Sequence, residues 1–329
     1  MIRIVAVDHR DVRWPIVPRG AARGRASERA AVILAVQTED GATGLGSAAP
    51  LPDLSIDTLD DATHAVADLA ARLPLELATP GHASAIADRV TAAPAARFAI
   101  ETALLSAYAQ TTRTSIARLL SPMPQAELRY AVVVDNEDEA RIAVARGARC
   151  LKIKVGGADI DDDIHRVRAI AASAPAARLR LDANRGWSAG DVERIMRPLA
   201  DLEIDYVEEP CRDAHLLLDL DIAFRIALDE SLVELDPAQL LRALASPRLA
   251  ALVLKPTLLG GFARCLELAA LAHRHGVAPV VSHTLEGPLG TAACFELARA
   301  IGADVPVGLA PHPALEHFAE AIWSRPASA

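Results

Sequence analysis

Two rhythms of apolar and polar residues follow one another along the chain. Residues 2–8 alternate apolar and polar side chains, which is typical of a half-buried strand. Residues 9–29 are rich in Arg, Gly and Pro and predict a loop, whereas residues 30–37 predict a second strand. After a turn, a third strand is predicted from Thr43. The opening of the chain therefore predicts a β-meander.

The pattern over residues 57–110 is helical, with breaks at Pro80-Gly81 and Pro94. Together with the meander, these helices predict a small α+β domain over residues 1–110. The tail, residues 313–329, is rich enough in apolar side chains to predict that it packs back on this domain.

Residues 111–312 follow the second rhythm, in which short β-branched or apolar runs alternate with helix-length segments. Eight such runs predict an α/β fold, a (β/α)8 (TIM-type) barrel, with the N-terminal α+β domain as its cap. The predicted strands are Tyr130–Val134, Leu151–Val155, Leu179–Asn184, Tyr206–Glu209, Arg225–Asp229, Ala251–Lys255, Ala278–Ser282 and Val307–Pro311.

Composition restricts the classes of partner. The 329 residues are 52% hydrophobic, which is ample for a core, yet no apolar run approaches the roughly 20 residues of a membrane span. The net charge of −9 argues against a nucleic-acid partner. Because the chain opens as a strand rather than a signal segment, we expect a cytoplasmic protein. The oligomeric state stays open.

The four cysteines are scattered and form no C-x-x-C motif. Such spacing predicts buried free thiols rather than disulfides or a zinc site. They are Cys150, Cys211, Cys265 and Cys294.

Three acidic residues, Asp182, Glu208 and Asp229, each end a short apolar run at intervals that suit one strand-plus-helix unit. A carboxylate at the end of a buried strand is costly unless something pairs with it. Because the carboxyl ends of barrel strands meet at one end of the barrel, the three acids predict a hard-cation site of oxygen ligands.

Lysines accompany these acids. Lys152 and Lys154 are two residues apart on a predicted strand, so both point to one face, and Lys255 ends the sixth strand. Taken singly, a lysine at a strand end is most often a solvated residue. Taken together, lysines and acids within apolar strands balance one another, since either set alone would leave buried charges unpaired.

A divalent cation and a lysine base favour chemistry at the carbon next to a carboxylate. The cation acidifies that α-carbon and stabilises the enediolate. The base must be neutral near pH 7, which requires a pKa about three units below the reference value of about 10.4. A nearby like charge and the metal both lower the pKa, so Lys154 is the predicted base and Lys152 a supporting charge.

Three further polar residues end or follow predicted strands. Asn184 suits a turn as well as a partner of the cation ligands. His283 and His312 are interpreted as loop residues rather than bases.

Several motifs resemble the enolase superfamily, in its muconate-cycloisomerase-like group with lysines on the second and sixth strands. Within that group, the run Leu254–Gly260 and the loop Gly44–Pro52 are most similar to the o-succinylbenzoate synthase family. The other motifs are Lys152-Ile-Lys-Val-Gly156, Leu181-Asp-Ala-Asn-Arg-Gly-Trp187, Glu208-Glu-Pro-Cys211 and Asp229-Glu-Ser-Leu232.

This resemblance implies that Asp182, Glu208 and Asp229 bind Mg²⁺, with Mn²⁺ as an alternative. It implies that Lys154 abstracts the α-proton while Lys255 faces it across the substrate. The implied reaction is the syn dehydration of 2-succinyl-6-hydroxy-2,4-cyclohexadiene-1-carboxylate to o-succinylbenzoate, a lyase step of menaquinone biosynthesis.

The resemblance also implies further contacts: Arg180 and Ser282 near the substrate, with Pro18–Gly24 and Ala48–Pro52 closing over the succinyl chain. One departure is Ser47, which stands where the family loop usually has Glu. Another is the seventh strand, which lacks the serine-rich run of many synthases.

Two rivals share this machinery. A racemase or epimerase of N-acylamino acids or dipeptides needs the same two lysines, one for each face of the α-carbon. Epimerases usually carry an acidic pair on the eighth strand for the substrate amine, and Gly308–Pro311 offers none. A non-catalytic barrel should have lost a ligand or a lysine, and none is missing.

Overall fold

The computed structural model describes residues 1–16, 28–157, 159–188, 190–219 and 222–311. The expectations for Pro18–Gly24, for His312 and for the tail 313–329 lie outside these residues.

The first part of the chain forms an antiparallel sheet of four strands in the order β3-β2-β1-β4. The strands are β1 (Ile2–Pro15), β2 (Glu28–Thr38), β3 (Thr43–Ala48) and β4 (Leu75–Leu77). Its helices are α1 (Leu59–Ala70), α2 (His82–Val90), α3 (Pro94–Thr112) and α4 (Ile116–Leu120).

The loop predicted over residues 9–29 is wrong at both of its described ends. Strand β1 continues to Pro15, and β2 already begins at Glu28, its partner in the ladder. Most side chains of this stretch are exposed, so backbone hydrogen bonds rather than burial hold the strand. Trp14 is the exception, since it packs in a small core that includes Ile33.

The second part forms a parallel sheet of seven strands in sequential order, from β5 to β11. The strands are β5 (Ala131–Val133), β6 (Cys150–Lys154), β7 (Arg178–Asp182), β8 (Ile204–Glu208), β9 (Ile226–Leu228), β10 (Leu249–Leu254) and β11 (Ala278–Val281). Between and after them lie α5 (Glu137–Ala145), α6 (Ile160–Ser173), α7 (Val192–Met196), α8 (Pro237–Ala245), α9 (Pro256–Leu259), α10 (Phe262–Arg274) and α11 (Gly287–Ile301).

The predicted eighth strand is reduced to two bridges, Val307 with Tyr130 and Gly308 with Ser282. These bridges link the first and seventh barrel strands and so close the ring. Prolines at positions 306 and 311 supply no amide donor, which limits the ladder to the residues between them. The predicted barrel with an N-terminal cap is confirmed.

The cap sits against the carboxyl ends of β10 and β11. Helix α3 packs on α9, the turn that directly follows Lys255. Glu101 of α3 accepts a hydrogen bond from the backbone N–H of Phe262, the first residue of α10. A cap residue thus completes the amino terminus of a barrel helix.

The prediction for the cysteines is confirmed. All four cysteines are buried and free, as the sequence predicts. Among the described helices, none is both long and apolar enough to cross a membrane.

Candidate active site

Strand register brings the predicted acids side by side. Lys154 pairs with Asp182 across β6 and β7, and Asp182 pairs with Glu208 across β7 and β8. Asp229 directly follows β9, the next strand of the sheet. All three carboxyl side chains are buried, although each stands at the end of its strand. The barrel therefore gathers at one end the acids that the sequence separates.

Lysine ammonium groups lie between these carboxylates. Lys152 Nζ lies 2.7 Å from Glu208 Oε2 and 2.8 Å from Asp182 Oδ2. Lys154 Nζ lies 2.5 Å from the same Asp182 oxygen. On the other side, Lys255 Nζ donates to Asp229 Oδ2. Each predicted lysine is thus in direct contact with a predicted cation ligand.

These are the only three lysines in the whole chain, which has 34 lysines and arginines together. Elsewhere the protein uses arginine for its positive charges. An arginine stays protonated in proteins, whereas a buried lysine can lose its proton and act as a base. The three cationic side chains that can lose a proton most readily are therefore all located in the acid cluster.

The electrostatics of the cluster reflect an excess of negative charge. Burial alone would lower the pKa of Lys152, but Asp182 and Glu208 outweigh it and hold that pKa well above its usual range. The pKa of Lys255 is likewise raised against burial, chiefly by Asp229 and then by Glu230. Burial, reinforced by Glu230 and Glu208 and opposed by Lys255, raises the pKa of Asp229 well above its ordinary value.

The cluster fits a divalent cation. Five buried carboxyl groups face three lysines and Arg185, and the acids are Asp182, Glu208, Glu209, Asp229 and Glu230. Asp229 Oδ1 and Glu230 Oε2 are buried oxygens without a hydrogen-bond donor among the described residues. Oxygen donors of this kind suit Mg²⁺. Among the described residues, no three Asp, Glu, His or Cys side chains are arranged as a ready metal site. Lysine ammonium groups lie against these carboxylates instead.

Glu209 holds the strand ends in place. Its Oε1 accepts hydrogen bonds from the backbone N–H groups of Asp229 at 2.8 Å and Ser231 at 2.9 Å. Its Oε2 accepts from Ser231 Oγ at 2.9 Å and from Arg185 Nε at 3.0 Å. One buried carboxylate therefore ties the turns after β7, β8 and β9 together. The sequence places Glu209 at a strand end but assigns it no role.

The turns that carry these residues have unusual backbone. Asn184, Arg185 and Glu209 have φ values of 43°, 62° and 41°, in the left-handed region that residues other than glycine rarely adopt. Asn184 also accepts a hydrogen bond from Lys154 Nζ at 2.9 Å through Oδ1. Asn184 is therefore the turn residue that the sequence allowed, and its backbone N–H donates to Asp182, a predicted cation ligand, at 3.1 Å. The contact with Lys154 was not predicted. Such backbone persists where surrounding contacts enforce it.

The two other supporting residues lie apart from the acid cluster. Arg180 is buried below it, where its guanidinium stacks on Tyr206 and donates to the carbonyl of Pro306 at 2.7 Å. Ser282 follows β11 and donates through Oγ to the carbonyl of Gly308 at 3.2 Å. The structure does not bring either side chain to the carboxylates, so both remain only predicted substrate contacts.

The loop after β11 is braced by Glu286. This buried carboxylate accepts hydrogen bonds from the backbone N–H and the hydroxyl of Thr284. The Nδ1 of His283 accepts the backbone N–H of Leu285 at 3.2 Å. His283 is thus used within the loop, in line with its interpretation as a loop residue.

Curated relatives of similar sequence include o-succinylbenzoate synthases. An o-succinylbenzoate synthase of Edwardsiella ictaluri is 32% identical over 280 residues, which cover 82% of this chain and 79% of the relative. Another from Pectobacterium atrosepticum is 31% identical over 294 residues, covering 87% of this chain and 83% of the relative.

Solved structures that share the fold of this chain include dipeptide epimerases. A dipeptide epimerase from Methylococcus capsulatus, complexed with Mg and the dipeptide L-Arg-D-Lys, superposes with a TM-score of 0.82 at 26% identity. That match covers 94% of this chain and 90% of the epimerase. The L-Ala-D/L-Glu epimerase from Bacillus subtilis gives a TM-score of 0.77 at 27% identity, covering 90% and 87% of the two chains.

Family models match both parts of the chain. Residues 4–121 match the N-terminal domain of mandelate racemase and muconate lactonizing enzyme. Residues 135–322 match the enolase C-terminal domain-like family. With the barrel, the cap and the relatives in agreement, the chain belongs to the enolase superfamily.

Proposed function

We propose that this protein is an Mg²⁺-dependent o-succinylbenzoate synthase. Its substrate would be 2-succinyl-6-hydroxy-2,4-cyclohexadiene-1-carboxylate, which loses water to give the aromatic product. We assign residues 1–110 to the cap and 111–312 to the catalytic barrel. The observation that carries the proposal is that the three lysines of the chain all contact buried strand-end acids, and the names of the curated relatives favour the lyase reaction.

Asp182, Glu208 and Asp229 would hold the metal. When bound, Mg²⁺ would acidify the α-carbon of a carboxylate substrate and stabilise negative charge on the carboxylate oxygens. One oxygen of Asp229 has no hydrogen-bond donor among the described residues, which supports this assignment.

Lys154 would act as the base. Its neutral amine would take the α-proton and pass that proton to the departing hydroxyl on the same face. The α-C–H and C–O bonds break, a C=C bond forms and water leaves. Asn184, which accepts a hydrogen bond from Lys154 Nζ, would orient the amine.

The other two lysines would remain charged. Lys152 is held by Asp182 and Glu208 and would act as a fixed positive neighbour of the base. Lys255 would face Lys154 across the substrate and steady the negative charge that develops on it.

A racemase of N-acylamino acids is the second candidate, because the same lysines could exchange the α-proton from either face. The superposition of this chain on structures named as epimerases supports this second candidate. A dipeptide substrate fits less well, since its ammonium group would need a buried carboxylate. Gly308–Pro311, the closing segment of the barrel, supplies none.

The direct test is turnover of the cyclohexadiene carboxylate, followed by absorbance with Mg²⁺, with chelator and with the Lys154→Ala variant. We expect metal-dependent turnover that the variant loses. A folded, Mg²⁺-loaded wild type without turnover would remove the synthase proposal. The racemase candidate would then be tested by α-proton exchange of N-acylamino acids in D₂O.

A further inference from the structure

Arg29 is a buried cation in the cap, remote in sequence from every residue of the acid cluster. It lies near the start of β2, and only 1% of its surface is exposed. Burial lowers the pKa of Arg29 to about 10, and nearby Glu286 opposes this shift. In the described part of the chain, no carboxylate lies within ion-pair distance of its guanidinium. Burying a charge without an ion-pair partner is costly, so compensating contacts are required.

Those contacts are four backbone carbonyl groups from two separate loops. Arg29 donates through Nη1 to Pro50 at 2.6 Å and through Nη2 to Ala49 at 2.7 Å. It also donates through Nη2 to Thr284 at 3.3 Å and through Nε to Leu285 at 3.4 Å. The first pair belongs to the cap loop after β3, and the second pair belongs to the barrel loop after β11.

The barrel loop depends on being held. Leu285 has a φ of 60°, a left-handed conformation that is unfavourable for a leucine. The carboxylate of Glu286 accepts hydrogen bonds from the backbone N–H of Thr284 and from Cys294 Sγ at 3.1 Å. Arg29 donates to the backbone carbonyl groups of the same loop. Ser282, a predicted substrate contact, lies in the same loop.

We propose that Arg29 is a positioning residue that clamps the cap loop 48–52 to the barrel loop 282–286 and thereby sets how the substrate is seated. The inference rests on the proposed function, because both loops border the barrel mouth in which that substrate would bind. Arg29 touches neither the lysines nor the acids, so it acts through the loops and not on the reacting atoms.

The chemistry of the side chain explains why arginine is needed. A planar guanidinium presents donors in a rigid fork and can serve carbonyl groups on two sides at once. A lysine ammonium keeps the charge, but it is a single point and cannot reach both loops in the same way. Arg29→Lys is therefore the informative variant, and Arg29→Gln is its uncharged companion.

The first arm of the test measures loop mobility without substrate. In hydrogen–deuterium exchange, Arg29→Lys should exchange faster than wild type in both 48–52 and 282–286, and elsewhere as wild type does. Arg13→Gln is the matched control, because Arg13 is an exposed arginine of the same sheet that pairs with Glu28. Faster exchange in only one loop, or in neither, would overturn the clamp.

The second arm measures kinetics. We expect Arg29→Lys to raise KM by about 10- to 100-fold, because loosened loops would lose the same substrate binding in the ground state and in the transition state. Its kcat should stay within about threefold, and its Mg²⁺ affinity should match wild type. A variant that loses Tm but keeps the wild-type KM would show a merely structural role and contradict the proposal.

The two proposals fail separately. If wild type does not turn over the cyclohexadiene substrate, the proposed function fails while the exchange arm still judges the clamp. If the variants do not fold, hydrogen–deuterium exchange of the wild type with and without product tests the clamp. Product binding should slow exchange in both loops together. Slower exchange in one loop alone, or in neither, would overturn the clamp.

Discussion

The strand ends of the barrel fall into two halves of opposite character. From β6 to β10 they carry the lysines and buried carboxylates, bound to one another at hydrogen-bond distance. The end of β11 carries the uncharged polar residues Ser282, His283 and Thr284, and residues 307–311 are small or apolar. The carboxylate of Glu286 binds within its own loop. The charged half is held by its own contacts, such as those of Glu209. In the uncharged half, the loop after β11 is held by Arg29 of the cap.

This difference separates two tasks. A dense, internally braced set of charges suits the proton transfer that enolase-superfamily chemistry requires. A sparse half whose shape depends on another domain suits the choice of substrate. Changes in the charged half should therefore abolish turnover, whereas changes in the uncharged half should alter substrate affinity.

The largest effect is expected from Lys154→Arg. This variant keeps the positive charge but cannot supply a neutral base, so kcat should fall by about 10²- to 10⁴-fold. Absorbance of the synthase reaction measures the loss, and α-proton exchange in D₂O should fall with it. Activity within tenfold of wild type would show that Lys154 is not the base.

The next effect concerns Glu209→Gln. An amide oxygen cannot accept all four hydrogen bonds of Glu209, so the turn that carries Asp229 should loosen. Loss of such a supporting residue typically costs about 10- to 100-fold in metal affinity, which calorimetric Mg²⁺ titration measures. Glu234→Gln is the control, because Glu234 is an exposed partner of the same Arg185. Equal effects of the two variants would contradict the role of Glu209.

A third effect should appear where the cap meets α10. Burial raises the pKa of Glu101 from its ordinary 4.5 to about 7, although the N–H groups of Phe262 and Ala263 oppose this. Between these two pH values the folded state retains a proton that the unfolded state releases. The contribution of Glu101 to the free energy of unfolding therefore falls as the pH rises from about 4.5 to 7. Glu101→Gln cannot ionise, so its Tm should gain on wild type by several degrees between pH 5 and pH 7.5.

Thermal unfolding of both proteins across that pH range gives the comparison. Glu296→Gln is a suitable control, because Glu296 also accepts a helix N–H, that of Ala117, but shows more surface. A constant Tm difference between Glu101→Gln and wild type would contradict the raised pKa.

The smallest effect is expected from Ser282→Ala in the uncharged half. It removes the hydrogen bond to Gly308, a contact of about 1 kcal/mol, so KM should change by less than about tenfold. Mg²⁺ affinity should not change. Steady-state kinetics and Mg²⁺ titration of one preparation test both statements, and a large loss of kcat would show that the two halves are not separate.

The three acids of the charged half could be predicted from sequence because each of them stands at the end of a short apolar run. Barrel topology then requires those ends to meet, so Asp182, Glu208 and Asp229 follow from spacing alone. The strand rhythm likewise predicts seven of the eight barrel strands well. The eighth is shorter than predicted because prolines at both ends remove donors from its ladder.

The rest depended on contacts that spacing does not reveal. Arg29 lies in an Arg-rich stretch whose composition predicts a loop, and its partner Leu285 is 256 residues further along the sequence. The role of Glu209 depends on left-handed backbone in two turns, which no side-chain pattern marks. The length of β1 depends on backbone pairing with β2 through residues whose exposed side chains predict a loop.

The most direct test of the central claim is a competition in D₂O followed by ¹H NMR. Wild-type protein with Mg²⁺ would receive equal amounts of the cyclohexadiene carboxylate, an N-acylamino acid and the dipeptide L-Ala-L-Glu. We predict that the aromatic product forms first and that the dipeptide keeps its α-proton. Faster α-proton exchange in the dipeptide than dehydration of the cyclohexadiene acid would contradict the account.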